Sequence, residues 1–337
     1  MYIQEAELID IVGQNYPGTV AHVTKLPQTK NDGFHVEYQD GSERFARVGK
    51  YNDRNATIDK ITIAGMLGTQ GVPVPEVIMT NDGEQCVSLE DGRIVEMHNW
   101  VANGRAYLPT TKDIQAVATA MAGMHSAADS LDSHPSITRL SANPYTGMQP
   151  GARLPDETTI DYFTSRLKDI PESLRPAVTR DLPLMRDALV TTIPGKDWGI
   201  IHADLHGDQV LFDKDSGEFK ALLDWEWMLY GPRTRDLAFS LYKLTEVEGK
   251  LSLPLAETFV ETYTQERPVF PLEDLSAINQ HLEWDATCRR TRWIQGVLQQ
   301  VDSGKVNEER IRQLVNWFDD YSLVRAKELR EVVSQIK

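Results

Sequence analysis

The residues best equipped for chemistry lie between Ile200 and Asp224. His202, Asp204, His206, Asp208 and Gln209 share one polar stretch, and Asp224 stands alone further on. Two apolar runs separate them, Val210-Leu211-Phe212 and Ala221-Leu222-Leu223, which read as short buried strands. Asp215-Ser216-Gly217 between the runs supplies turn chemistry and predicts a hairpin. A hairpin brings the residues before its first strand and after its second to one mouth. Carboxylates converging there suit a divalent metal and a phosphoryl group. Asp224 is a hard anionic oxygen donor, Gln209 a neutral amide one, and Asp204 a carboxylate able to take or orient a hydroxyl proton. A His-x-Asp alone is commonly a chance pattern of solvated loop residues, so the hairpin and the second Asp carry the reading.

The spacing His202-x-Asp204, Gln209, hairpin, Asp224 parallels the kinase arrangement of a catalytic loop followed by a metal-binding Asp. His-Ala-Asp-Leu-His-Gly-Asp-Gln-Val-Leu-Phe-Asp, then Leu-Leu-Asp-Trp-Glu, then Gly231-Pro232-x-x-x-Asp236-Leu237-Ala238 resembles the aminoglycoside phosphotransferase/choline kinase family. The resemblance implies an α+β, bilobal, protein-kinase-like fold with an antiparallel-sheet N-lobe over residues 1–98 and a mainly helical C-lobe over 99–337. It also implies ATP and Mg²⁺ as cofactors and a small-molecule hydroxyl as acceptor. By the same resemblance Asp204 is the catalytic carboxylate, Gln209 and Asp224 hold the metal, and His202 and Asp236 brace the catalytic loop. Most of the family has Asn where this chain has Gln209. Maltokinase-like members carry Gln in a closely similar loop, which points toward a sugar-type substrate.

Composition narrows the alternatives. The 337 residues suffice for two lobes with a core each, and 41% apolar with 25% charged residues is ordinary for a soluble globular chain. A net charge of -15 argues against a nucleic-acid partner and is compatible with a cationic substrate. Cys86 and Cys288 are far apart and without metal-like spacing. With an acidic N-terminus lacking signal-peptide form and no membrane-length apolar run, a cytoplasmic setting is expected.

The elements that must position these residues follow in order. A surface helix is predicted over 4–15, with Leu8, Ile11 and Val12 on one face. Strands follow at Val20–Leu26, Phe34–Gln39 and Arg44–Val48, the last two joined by Asp40-Gly41. Lys30–Phe34 stands where the family covers the nucleotide phosphates, but one glycine makes it an ordinary turn by itself. Arg47 matches the family's phosphate-pairing strand cation, with Lys50 as the alternative; the bland reading of Arg47 is a solvated edge-strand arginine. The helix over 56–70 lacks the glutamate that the family uses to hold that cation; Lys60 sits near its place. Strands at Glu76–Thr80, Gln85–Leu89 and Ile94–Met97 complete the sheet. The resemblance then implies a hinge over His98–Gly104, with backbone near Met97 and Asn99 meeting adenine. A capped helix is predicted over Thr111–Ala128 with His125 in the core, a loop over 130–156, and helices near 157–169, 176–191, 236–247 and through much of 253–335.

Substrate recognition is expected in the helical part. Trp225 and Glu226 flank Asp224, and Glu283, Asp285 and Arg289 lie on adjacent helix turns with Trp284 and Trp293. The plainer reading is an amphipathic helix with its Trp packed inward. Two alternatives stay open: a nucleotide-binding pseudokinase, suggested by the missing helix glutamate and by Gln209, and a protein kinase. The short connection from Asp224 to Asp236 leaves little room for a peptide platform.

Overall fold

The computed structural model describes residues 3–27, 32–49, 54–131, 133–142, 157–190, 197–271, 278–304, 306–307, 309, 313 and 326–335. They form two compact units. The first comprises Met1–Tyr107, Ser126–Arg139 and Asp208–Glu226; the second comprises Leu108–His125, Leu140–Gly207 and Trp227–Lys337. The chain leaves and re-enters each unit, and the polar stretch that opens the sequence reading is divided between Gly207 and Asp208.

The first unit is built on a five-stranded antiparallel sheet. Its strands are β1 (Val20–Lys25), β2 (Asp32–Tyr38), β3 (Glu43–Gly49), β4 (Val87–Ser88) and β5 (Ile94–Asn99), in the order β1-β2-β3-β5-β4. Helix α1 (Glu5–Asn15) buries Leu8 and Val12, which join Phe34, Val36, Ala46, Val48, Val95 and Met97 in one core. The Asp40-Gly41 turn forms as predicted, with the Tyr38 amide donating to Ser42 O at 2.9 Å and Gly41 at φ +82°. Helix α2 (Arg54–Thr69) buries Ile61, Ile63, Ala64 and Leu67. The strand expected over Glu76–Thr80 is reduced to a single bridge between Val77 and His98. Pro73 and Pro75 offer no amide hydrogen, so the ladder cannot extend upstream of that point.

The catalytic-loop hairpin is present. Strands β8 (Val210–Asp213) and β9 (Phe219–Leu222) pair antiparallel with Val210 opposite Leu222, and β6 (Gly104–Arg105) adds a third strand beside β8.

The second unit is mainly helical. It holds helices α3 (Thr111–Asp129, whose last turn falls in the first unit), α5 (Glu157–Ser165), α6 (Arg175–Val190), α7 (Arg233–Leu244), α8 (Leu253–Glu266) and α9 (Ile278–Asp302), with α7 packed on a two-strand ribbon of β7 (Trp198–Ile201) and β10 (Leu229–Pro232). Thr110 caps α3 by accepting the Asp113 amide at 3.2 Å. Ile160 and Phe163 of α5, Val178 and Met185 of α6, and Trp293, Ile294 and Val297 of α9 share a core. The loop predicted over 130–156 contains a helix, α4 (Pro135–Ala142), which begins in the first unit and ends in the second and whose Ile137 and Leu140 are buried. Its Pro at the first helical position is a start signal hidden among the neighbouring Ser and Pro residues. Residues 143–156 lie outside the described residues. Among the described residues no helix is long and apolar enough to cross a membrane.

Candidate active site

The first unit gathers a charged cluster around Arg47. Strand β3 is flanked by β2 and β5, so Arg47 is not on an edge. The β3–β5 register sets Arg47 directly opposite Glu96, where cross-strand side chains on one face meet. Glu96 is buried at 3% exposure and ion-pairs with the Arg47 Nε. Arg47 Nη1 donates to Asp224 Oδ1 at 2.8 Å and to Glu226 Oε2 at 3.4 Å. Burial is the largest single influence and works against both charges, but the neighbouring groups together outweigh it, Arg47 and His98 for Glu96 and the three carboxylates for Arg47. Glu96 is held down at about 2, and Arg47 is raised, by Glu96 first and then Asp224 and Glu226.

Asp224 is presented by the hairpin. The Leu223 amide donates to Gln209 O at 2.8 Å, continuing the β8–β9 pairing to the open end. Gln209 and Asp224 thus emerge side by side, with Gln209 Nε2 donating to Asp224 Oδ2 at 3.2 Å. Asp224 has φ +57°, a left-handed conformation that an L-residue holds only when its surroundings impose it. One carboxylate oxygen therefore faces Arg47 and the other faces Gln209. The Asp224 carboxylate suits a hard oxygen-seeking cation, and Gln209 would join it by turning its amide oxygen toward the ion, since its Nε2 donates to Asp224 here. Among the described residues no three His, Cys, Asp or Glu side chains converge as a metal site.

Lys60 of α2 reaches the same cluster, its Nζ donating to the Glu226 main-chain carbonyl. Burial and the neighbouring Arg47 lower its pKa to about 8, against the opposing pull of Glu226, Glu96 and Asp224. Trp225 is buried, its indole N–H donating to Leu222 O at 3.2 Å, so it offers no open face. The Met97 carbonyl accepts the Ile78 amide at 2.8 Å and the Asn99 amide donates to Glu76 O at 2.9 Å, so both groups are engaged within the unit. Lys50, Lys30 and Asn31 lie outside the described residues.

In the second unit the main chain before Asp204 is held by a buried carboxylate. Asp236, in the first turn of α7, accepts the His202 amide at 2.7 Å on Oδ2 and the Ala203 amide at 2.6 Å on Oδ1. Ala203, at φ +67°, is the residue before Asp204. His125 Nε2 lies 3.1 Å from Asp236 Oδ2, and its Nδ1 lies 2.8 Å from the Tyr263 hydroxyl. Burial lowers the His125 pKa despite Asp236, so the ring is neutral. An ionised carboxylate only accepts, which makes Nε2 the donor and leaves Nδ1 to accept from Tyr263. Beneath this, Arg233 ion-pairs with Asp197 and donates to the His125 carbonyl at 3.3 Å, and Arg267 adds a second contact to Asp197. His202 is fully buried, while Asp204 and His206 are partly open with His206 Nε2 3.8 Å from Asp204 Oδ2. Glu283, Asp285 and Arg289 lie on α9, but their side chains are outside the described residues; Trp293 packs inward.

The residue that sequence reasoning missed is Glu96. A glutamate inside the apolar run Ile94–Met97 is a buried charge that demands a partner, and that signal was legible.

A model of the phosphotransferase enzyme family matches residues 26–270. The chain belongs to the phosphotransferase enzyme family. It is a phosphotransferase with an α+β kinase-like fold. No curated protein matches it. Among solved structures it is similar to a spectinomycin phosphotransferase in complex with ADP and spectinomycin, with a TM-score of 0.67, 14% identity, and 98% of this chain and 100% of that one covered. It is similar to an amicoumacin kinase in complex with AMP-PNP and Ca²⁺ at 0.64 and 15%, covering 95% and 93%. It is also similar to a microcompartment-associated aminopropanol kinase at 0.64 and 14%, covering 98% and 100%.

Proposed function

We propose that this phosphotransferase transfers the γ-phosphoryl group of ATP to a hydroxyl of a small polar molecule. A sugar, an amino sugar, an aminoglycoside or an amino alcohol is the substrate class. The observation that carries the reading is the pairing of Gln209 and Asp224 at the hairpin mouth, with Arg47 against the same carboxylate. Asp224 and Gln209 would hold Mg²⁺, and Arg47 would turn from its carboxylates toward nucleotide phosphate. The bound ion supplies charge neutralisation on the phosphates. Asp204 accepts or orients the proton of the acceptor hydroxyl, whose oxygen forms a bond to the γ-phosphorus as the bond to ADP breaks. Asp236 serves that step indirectly, by fixing the main chain before Asp204. Adenine is assigned beside Met97–Asn99, through groups other than the Met97 carbonyl and Asn99 amide. Substrate contacts are assigned to Glu283, Asp285 and Arg289.

Three considerations support the substrate class. The solved neighbours named above include kinases of spectinomycin and of aminopropanol. A net charge of -15 favours an approaching cation. The Gln209 loop matches maltokinase-like relatives, which keeps sugars among the candidates. The pseudokinase alternative drew on the absent helix glutamate, and Glu96 supplies Arg47 with a carboxylate from the sheet instead. A cytoplasmic setting fits the buried free thiol of Cys86.

The test is an ATP-consumption screen with Mg²⁺ against amino alcohols, aminoglycosides and sugars, paired with calorimetry of Asp224→Ala. Turnover with one class and loss of metal-dependent ATP affinity in the variant are expected. Unchanged Mg-ATP affinity in Asp224→Ala would remove the metal assignment.

A further inference from the structure

Helix α2 is joined to the site in an unusual sense. The family resemblance implies a helix carboxylate that holds the strand cation. In this chain the cation is held by Glu96 from the adjacent strand, and the helix contributes Lys60. Lys60 Nζ donates to a main-chain oxygen, that of Glu226, in the 3₁₀ turn Trp225–Trp227 immediately after Asp224. A bond to a carbonyl fixes the backbone itself, and a charged donor makes it a strong one. The same turn is fastened by the Trp225 indole on Leu222 O and is entered through the left-handed Asp224. The charged groups around Nζ are Arg47, Glu226, Glu96 and Asp224.

We propose that Lys60 is a positioning residue that holds the Glu226 carbonyl and thereby sets the main-chain geometry in which Asp224 is presented. What Asp224 then binds rests on the function proposed above. The consequence is an inverted coupling. A shift of α2 disturbs the anionic end of the site, while Arg47 stays anchored within the sheet.

The experiment has two arms. In the free protein, hydrogen exchange is followed in peptides covering 223–228 for the wild type, Lys60→Met and Lys60→Arg. Exchange there should quicken on the order of tenfold in Lys60→Met, return toward wild type in Lys60→Arg, and stay unchanged in β3 and β5. In the second arm, a nonhydrolysable ATP analogue is titrated with and without Mg²⁺. Lys60→Met should keep its metal-free affinity and lose on the order of tenfold of the gain that Mg²⁺ brings. Unchanged exchange at 223–228 overturns the proposal. So does a metal-free affinity that falls in step with the Mg²⁺-dependent one, because Lys60 then contacts the nucleotide directly. If Lys60→Met does not fold by circular dichroism, Lys60→Gln, which keeps a shorter neutral donor, takes its place in both arms. A wild type that binds no nucleotide refutes the proposed function, while the exchange arm still decides the tether.

Discussion

Glu96→Gln offers a direct measurement of how strongly the sheet holds the site cation. Glutamine keeps the shape and one accepting oxygen but removes the charge facing Arg47. The Glu96 carboxyl ordinarily titrates at 4.5 and is held at about 2 in the fold. That difference, at 1.36 kcal/mol per pH unit, corresponds to about 3 kcal/mol. Breaking one side of a buried pair typically costs about 3–5 kcal/mol. Arg47 keeps Asp224 and Glu226, which are themselves partly open to water, so the low end applies. We expect Glu96→Gln to lose about 2–3 kcal/mol at neutral pH. The sign of the pH dependence follows from the depressed pKa. The stabilisation is fully present above about 4.5 and is lost as pH falls through about 2. Urea unfolding followed by near-ultraviolet circular dichroism from pH 7 to pH 2 should show the two stability curves converging below pH 4.5. A difference under about 1 kcal/mol at pH 7, or a gap that stays constant to pH 2, would refute the reasoning.

Asp204→Asn should abolish turnover while leaving Mg-ATP affinity within about twofold, because Asp204 acts on the acceptor; wild-type kcat in the variant rules this role out. Gln209→Asn should lower kcat/KM with Mg²⁺ and recover partly with Mn²⁺, since the amide oxygen falls short by a methylene and Mg²⁺ tolerates distance errors poorly. Equal losses with both metals would take Gln209 out of the metal shell. Gly199→Ala should be severely destabilising, because a Cβ there would sit 2.0 Å from Arg233 Nη2 and 2.6 Å from its Cζ. Displacing that guanidinium from Asp197 should cost about 3–5 kcal/mol, read as a lowered urea midpoint, and a wild-type midpoint contradicts it.

The chemistry-bearing residues were legible in the sequence because they are local. Gln209, the hairpin and Asp224 lie within one short stretch, and alternation with a Gly-containing turn is enough to bring its ends together. The core face of α1 followed from periodicity for the same reason. The helix α4 was obscured because eight residues among prolines and serines carry a weak signal.

Partnership across the chain was a different matter. Arg47 and Glu96 are far apart in sequence and meet only through the β3–β5 register, which depends on how the two strands pair. Lys60 reaches Glu226, and His125 reaches Tyr263 and Asp236, by packing of whole elements. The sequence supplied the charges and the apolar faces. Which cation faces which carboxylate was decided by tertiary structure, because a buried charge is stable only beside a partner and long-range pairing selects that partner.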